Sequence, residues 1–200
     1  MSVKNEPIET VTETKLLGTI ITQDLKWDRN TAEIVRKAYK RMQILNRAAS
    51  FTSNIQDLRC IYLTYVRSLL DQSAVVWHSS LTKRNRRDLE RVQKTAVKMI
   101  MGKKFSNYKI DLKKLNLDSL NDRREKLCLK FAKRCLKNEK VKNLFPLNIT
   151  KNQIKTRGRK KYLEKKINTE RYRKSAIPYM KDLLNKEESK KRKMANDLLF

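Results

Sequence analysis

The chain has 200 residues, with 49 Lys and Arg against 21 Asp and Glu, for a net charge of +28. Only three Gly and three Pro occur, too few for the many turns of a sandwich or barrel, so the expected class is mainly α. Three scattered cysteines (Cys60, Cys128, Cys135) and a lone His78 argue against a disulfide framework and against a zinc finger, and no apolar run approaches the ~20 residues that span a bilayer.

Met1 to Glu13 is polar and acidic, which does not suit a signal peptide. Pro7 opens the part expected to be ordered. From Ile8 to Ile21, Thr, Val and Ile dominate with loose alternation, which predicts two short strands or a hairpin. Gly18 inside that segment marks a bulge or a close backbone approach. Asn30, followed three residues later by Glu33, reads as a capping box. The helix behind it places Val35, Ala38, Tyr39, Met42, Leu45 and Ala49 on one side and should end near Ser50. Ser53 and Gln56 form a second capping box, opening a long helix from about Ile55 to about His78. That helix is apolar most of the way round and is expected at the centre of the bundle.

A third helix is predicted from Thr82, with Leu89, Val92, Ala96 and Ile100 facing in. Arg84, Arg86, Arg87, Arg91, Lys94 and Lys98 face out, and Gly102 serves as its C-cap. Leu112, Leu115 and Leu117 suggest a short helical turn. Asp118 or Ser119 caps a fourth long helix whose inward face is Leu120, Leu127, Phe131 and Cys135, with Ala132 alongside. Arg123, Arg124, Lys126, Lys130, Lys133 and Arg134 dress its other side. From about Thr150 the apolar period fades, apart from one short helix between Ile177 and Leu184. The expected organisation is a β-hairpin over 1–27, a bundle of about four helices over 28–149, and a basic, partly disordered tail over 150–200.

Successive blocks of fifty residues carry net charges of +3, +5, +9 and +11. A soluble domain needs a net charge of magnitude only about 2–8, and +28 repels itself in the folded state. A polyanion relieves that repulsion, with nucleic acid the first candidate and an anionic membrane surface the second. Basic residues interleaved with Tyr39, Tyr62, Tyr108, Tyr162 and Tyr172 suit phosphate contacts and stacking.

Catalytic chemistry finds little support. The acidic pairs Asp24/Asp28, Asp88/Glu90 and Asp118/Asp122 each fit a cap or an exposed face as well as a metal site. Gly18, Gly102 and Gly158 do not make a phosphate loop. No catalytic residue, metal ligand or cofactor is expected.

The ordered set Lys15-Leu16-Leu17-Gly18-Thr19-Ile20-Ile21, then Leu25-Lys26-Trp27, resembles the "FLGV-x-I-D…L-x-W" segment of non-LTR retrotransposon (jockey-like, LINE-type) reverse transcriptases. The likeness continues through Ala38…Arg41-Met42…Leu45, Tyr62…Tyr65-Val66-Arg67-Ser68-Leu69-Leu70 and Ser73-Ala74-Val75-Val76-Trp77. It runs on through Leu89-Glu90-Arg91-Val92-Gln93-Lys94, Leu117…Leu120…Arg123-Arg124 and Leu144-Phe145-Pro146, covering about residues 15–146.

The resemblance implies the end of the palm, the thumb and the region after it, with the paired catalytic aspartates of the palm unmatched. It implies that Leu16, Leu17 and Gly18 lie in the strand turn supporting the primer end, and that the helix from Asn30 to Ser50 lies beside the template–primer duplex. With the basic residues read from charge, the candidate contacts to nucleic acid (RNA, an RNA–DNA hybrid or DNA) are Leu16, Leu17, Gly18, Lys37, Lys40, Arg41, Arg47, Arg84, Arg86, Arg87, Arg123, Arg124, Arg157, Arg159, Lys160 and Lys161. The expected function is non-catalytic template–primer binding, with the palm and fingers of a polymerase as a further partner. The alternative is a helical interaction protein with a basic anchor tail for nucleic acid or anionic surfaces. The basic runs Arg157–Lys161 and Lys190–Lys193 are compatible with a nuclear or a cytoplasmic location.

Overall fold

A computed structural model describes residues 2–3, 6–7, 10–148, 160–163 and 168–197. It is mainly α-helical, with strands near the N-terminus. By packing it divides into two units, residues 1–73 with 81–120, and residues 74–80 with 121–200.

In the first unit, β1 (Ser2–Val3) pairs antiparallel with β2 (Glu6–Pro7). A second hairpin joins β3 (Glu13–Leu16) to β4 (Thr19–Thr22), with Leu16 opposite Thr19. Leu17 and Gly18 form its two-residue turn, at φ 47° and 84°. Two successive positive φ values suit the right-handed twist of the flanking strands. Gly18 is thus a turn residue rather than a bulge, and the close approach expected of it is real. A Cβ there would lie 2.5 Å from Gln72 Nε2, which donates to the Leu17 carbonyl at 3.2 Å. Gly18→Ala should cost about 1–2 kcal/mol, because the left-handed backbone penalises a side chain. A denaturant titration showing unchanged stability would contradict that reading of the turn.

Helix α1 (Asp28–Phe51) begins two residues before the expected cap. Trp27 is its N-cap, and Asn30 sits buried in the first turn, its Oδ1 accepting from the Ile20 N–H of β4 at 3.1 Å. The expected capping box is therefore corrected: Asn30 ties the hairpin to the helix. Glu33 turns outward to Arg36 (2.8 Å) and Lys37 (3.2 Å), and the Arg36 guanidinium holds its carboxyl well below the usual range, at about 2. Ile34, Ala38, Met42 and Leu45 are the buried stripe, while Tyr39 of the expected stripe is exposed.

Helix α2 (Ile55–Ile61) is capped by Asn54, whose side chain accepts from the Gln56 N–H at 3.0 Å, in place of the expected Ser53. A π-helical segment (Tyr62–Arg67) and α3 (Ser68–Asp71) follow. The long helix expected to reach His78 stops at Asp71. Gln72 leaves the helical region at ψ 125° and Ser73 takes φ 51°, which redirects the chain. Helix α4 (Ala74–Trp77) and a 3-10 turn (His78–Ser80) come next.

Helix α5 (Lys83–Met101) behaves as its sequence predicts. Thr82 caps it, accepting from the Asn85 N–H at 3.1 Å, and Gly102 ends it at φ 50°. Leu89, Val92, Ala96, Val97 and Ile100 are buried, and α5 packs on α1. The expected short turn is α6 (Tyr108–Lys114), capped by Asn107. Asp111 of α6 has no exposure and accepts from the Ser106 N–H at 2.8 Å, which lowers its pKa, with Lys114 assisting at 3.1 Å.

A polar chain crosses this unit. The Tyr62 hydroxyl donates to Gln93 Oε1 at 2.6 Å, and Gln93 Nε2 donates to the Tyr108 hydroxyl (3.1 Å) and the Asp118 carbonyl (3.0 Å). Tyr108 donates to Glu90, which also accepts the Leu120 N–H at 3.0 Å. Burial and the adjacent Glu90 carboxylate push the Tyr108 phenol pKa far up, so it stays a donor.

The second unit is built on α7 (Leu120–Leu136), α8 (Glu170–Arg173) and α9 (Ala176–Asp197). Its core joins Cys128, Ala132, Cys135, Phe145, Tyr162, Met180, Leu183 and Leu184. The buried line of α7 is Arg124, Cys128, Ala132 and Cys135, while Phe131, expected inside, is 41% exposed. Leu147 bridges to Tyr162, whose backbone N–H and carbonyl are both bonded by the Asn185 side chain (2.9 and 3.3 Å). The short helix expected after Pro178 is the much longer α9. Pro178 lies in its first turn, where a missing N–H costs nothing.

Burial pushes the Cys128 thiol up to about 11, with Glu125 adding to the effect. Cys135 is also buried, and Cys60 is exposed. Near pH 8 a thiol reagent should label Cys60 quickly and reach the other two only on unfolding. Three equal labelling rates in the native protein would contradict this packing.

Candidate nucleic-acid interface

On the exposed side of α5, Arg84, Arg87, Arg91, Lys94 and Lys98 alternate at spacings of three and four residues, and all five are exposed. At 3.6 residues per turn they fall within an arc of about 80° and extend for about 21 Å. The helix presents a straight row of cations to water with its opposite face in the core. Among the described residues one carboxylate meets the row: Asp88 lies 3.4 Å from Arg91 and 3.9 Å from Arg84. Among the described residues, Arg87 and Lys94 have no carboxylate partner. The Lys98 ammonium lies 5.5 Å from the Phe105 ring centre, and exposed Lys103 and Lys104 continue the charge past Gly102.

Other expected contacts are placed differently. On α1, Lys40 and Arg47 are exposed. Lys37 is paired with Glu33, and Arg41 donates to the Tyr65 carbonyl at 2.9 Å, so these two have structural ties. Arg86 is half-buried, with Nε turned to the Leu81 carbonyl at 3.4 Å. Arg123 is half-buried on α7.

Arg124 is a correction. It is 1% exposed, and its guanidinium lies 5.0 Å from the Trp77 ring centre, with Trp77 fully buried. A planar cation over an indole face is held by the ring quadrupole, so this side chain is a core element and cannot reach a phosphate. Leu16 and Leu17 are exposed at the hairpin turn beside Gly18. Lys160 is exposed, and Lys161 pairs with Glu188 at 3.4 Å. Arg157 and Arg159 lie outside the described residues.

The aromatic expectation divides. Tyr62 and Tyr162 are buried, and Tyr108 is engaged with Glu90 and Gln93. Tyr39 and Tyr172 are exposed, as is Tyr65. His78 is fully buried, its ring edge-on to Tyr179 at 5.9 Å between centres.

Of the acidic pairs, Asp24, Asp88 and Glu90 have structural occupations. Asp24 accepts from the Thr22 hydroxyl at 2.6 Å and from the Lys26 N–H at 3.1 Å, which together hold its pKa at about 2. Asp88 and Glu90 are engaged as described above. Among the described residues no three His, Cys, Asp or Glu side chains gather to hold a metal ion, and no helix is long and apolar enough to cross a membrane.

The full row on α5 goes beyond the residues singled out from sequence, which were Arg84, Arg86 and Arg87. The sequence pattern marks Arg91, Lys94 and Lys98 only as outward-facing. The alternating three- and four-residue spacing of like charges is the signal that separates the row from Arg86. Comparison with protein-family models, with curated proteins and with solved structures gives no match to this chain.

Proposed function

We propose that the chain is a non-catalytic nucleic-acid-binding helical module, resembling the thumb region of a non-LTR retrotransposon reverse transcriptase and carrying no polymerase centre of its own. The observation that supports it best is the row of exposed cations on α5, backed by a buried apolar face and meeting, among the described residues, one carboxylate. Such a surface attracts phosphates through counterion release and holds them without reading bases. The excess of +28 supplies long-range attraction to a polyanion.

The test is competition. An RNA–DNA hybrid bound by the full chain should resist displacement by vesicles of anionic lipid at equal phosphate concentration, and should yield to unlabelled duplex RNA. Displacement by vesicles alone would point to a membrane-surface role. A second reading, an interaction module, draws on Leu16, Leu17 and Phe51, which are 59%, 87% and 90% exposed. In that reading the hairpin and the end of α1 offer apolar contact to a separate polymerase domain.

A further inference from the structure

The geometry points to α5 as a backbone-tracking ridge: Arg84, Arg87, Arg91, Lys94 and Lys98 follow the phosphates of one nucleic-acid strand, independently of its sequence. The inference rests on the nucleic-acid reading above and names the element that carries it.

Three features separate this ridge from the paired cations of α1 and α9. The first is neutralisation. On α1, Arg36 and Lys37 share Glu33, and Arg29 is bound to Glu13 at 3.2 Å. On α9, Lys186 lies 2.7 Å from Asp182 and Lys191 lies 3.9 Å from Glu188. On α5, Arg84 and Arg91 share Asp88, and among the described residues Arg87 and Lys94 have no carboxylate partner.

The second is alignment. The about 21 Å row spans about six phosphates at 3.4 Å of rise per strand. The third is rigidity. Leu89, Val92, Ala96 and Val97 are fully buried on the opposite face of the same helix, so the row is held in place before a ligand arrives.

The chemistry of the row also fixes what it can read. It contains only Arg and Lys, with no Asn, Gln or aromatic side chain among its five positions. Phosphate is the group such a row holds, and base identity is left unread.

The test uses the full chain and a short RNA–DNA hybrid titrated across salt. Each lost phosphate contact lowers the slope of log K against log salt by about 0.7–0.9. Arg87→Gln with Lys94→Gln should therefore lower the slope by about 1.4–1.8 and weaken binding at low salt at least tenfold. Lys186→Gln with Lys191→Gln removes the same charge from paired positions on α9 and should leave the slope nearly unchanged. All four side chains are exposed, so melting temperatures should match the wild type. Lys94→Gln with Lys98→Gln gives an independent second reading of the ridge.

Equal losses from the α5 and α9 variants, or no loss from either α5 variant while the wild type binds, would overturn the ridge and leave the nucleic-acid reading standing. A wild-type chain that shows no salt-dependent binding would instead overturn that reading itself. Hybrids of unrelated sequence should bind within about a factor of ten of one another, and a larger spread would contradict backbone tracking.

Discussion

Trp77→Ala is expected to destabilise the second unit by about 3–5 kcal/mol. The indole is fully buried, and its loss opens a cavity while stripping the ring from a guanidinium that is 1% exposed. Arg124→Met keeps most of the side-chain volume and opens no comparable cavity, so it should cost less than Trp77→Ala. The same substitution should leave the salt dependence of nucleic-acid binding unchanged, because Arg124 does not face solvent. Denaturant unfolding of both variants, followed by Trp fluorescence for Arg124→Met and by circular dichroism for Trp77→Ala, reads the difference. A larger loss from Arg124→Met than from Trp77→Ala would contradict this account of the pair.

Gln93→Leu should cost about 2–4 kcal/mol, even though leucine is close to it in size. Gln93 is fully buried and serves three partners at once: Tyr62, Tyr108 and the Asp118 carbonyl. Removing the amide strips a partner from each, and a buried polar group left unsatisfied costs about 1–3 kcal/mol. Tyr108 keeps Glu90, which limits the total. Tyr62→Phe deletes only the hydroxyl end of the chain and should cost about 1 kcal/mol. If the two variants were equally stable, the connected network would not be the source of the effect.

Much of the fold is written in short-range signals. Thr82, the buried series from Leu89 to Ile100, and Gly102 mark α5 from end to end, because cap, period and stop all lie within one element. The cap of α1 was legible as chemistry but not as destination. Asn30 is a good acceptor, and the N–H that reaches it belongs to Ile20 rather than to its own helix. The break after Asp71 has no Gly or Pro to announce it. It rests on a long-range contact between Gln72 and the Leu17 carbonyl and on the positive φ of Ser73.

The same distinction governs the candidate site. Arg124 reads as a surface charge, yet it lies one turn before Cys128 and two before Ala132, in line with the buried face. The ring its guanidinium lies over, Trp77, is remote in sequence, so composition could not disclose it. The row on α5 was legible in its spacing, because exposed like charges at three and four residues need no tertiary partner to be aligned. How far its cations are neutralised depends on where acidic side chains fold: Asp88 meets Arg84 and Arg91 of the row, and Glu33 occupies two cations of α1.

The central claim is that this chain holds nucleic acid through its phosphates. The most direct measurement is the affinity of the full chain for an RNA–DNA hybrid across about 50–200 mM salt. The account predicts a steep linear fall of log K with log salt, of slope about −4 or steeper, since the five cations of α5 alone supply about −3.5 to −4.5. Binding that is absent at low salt, or that holds constant across the series, would contradict it.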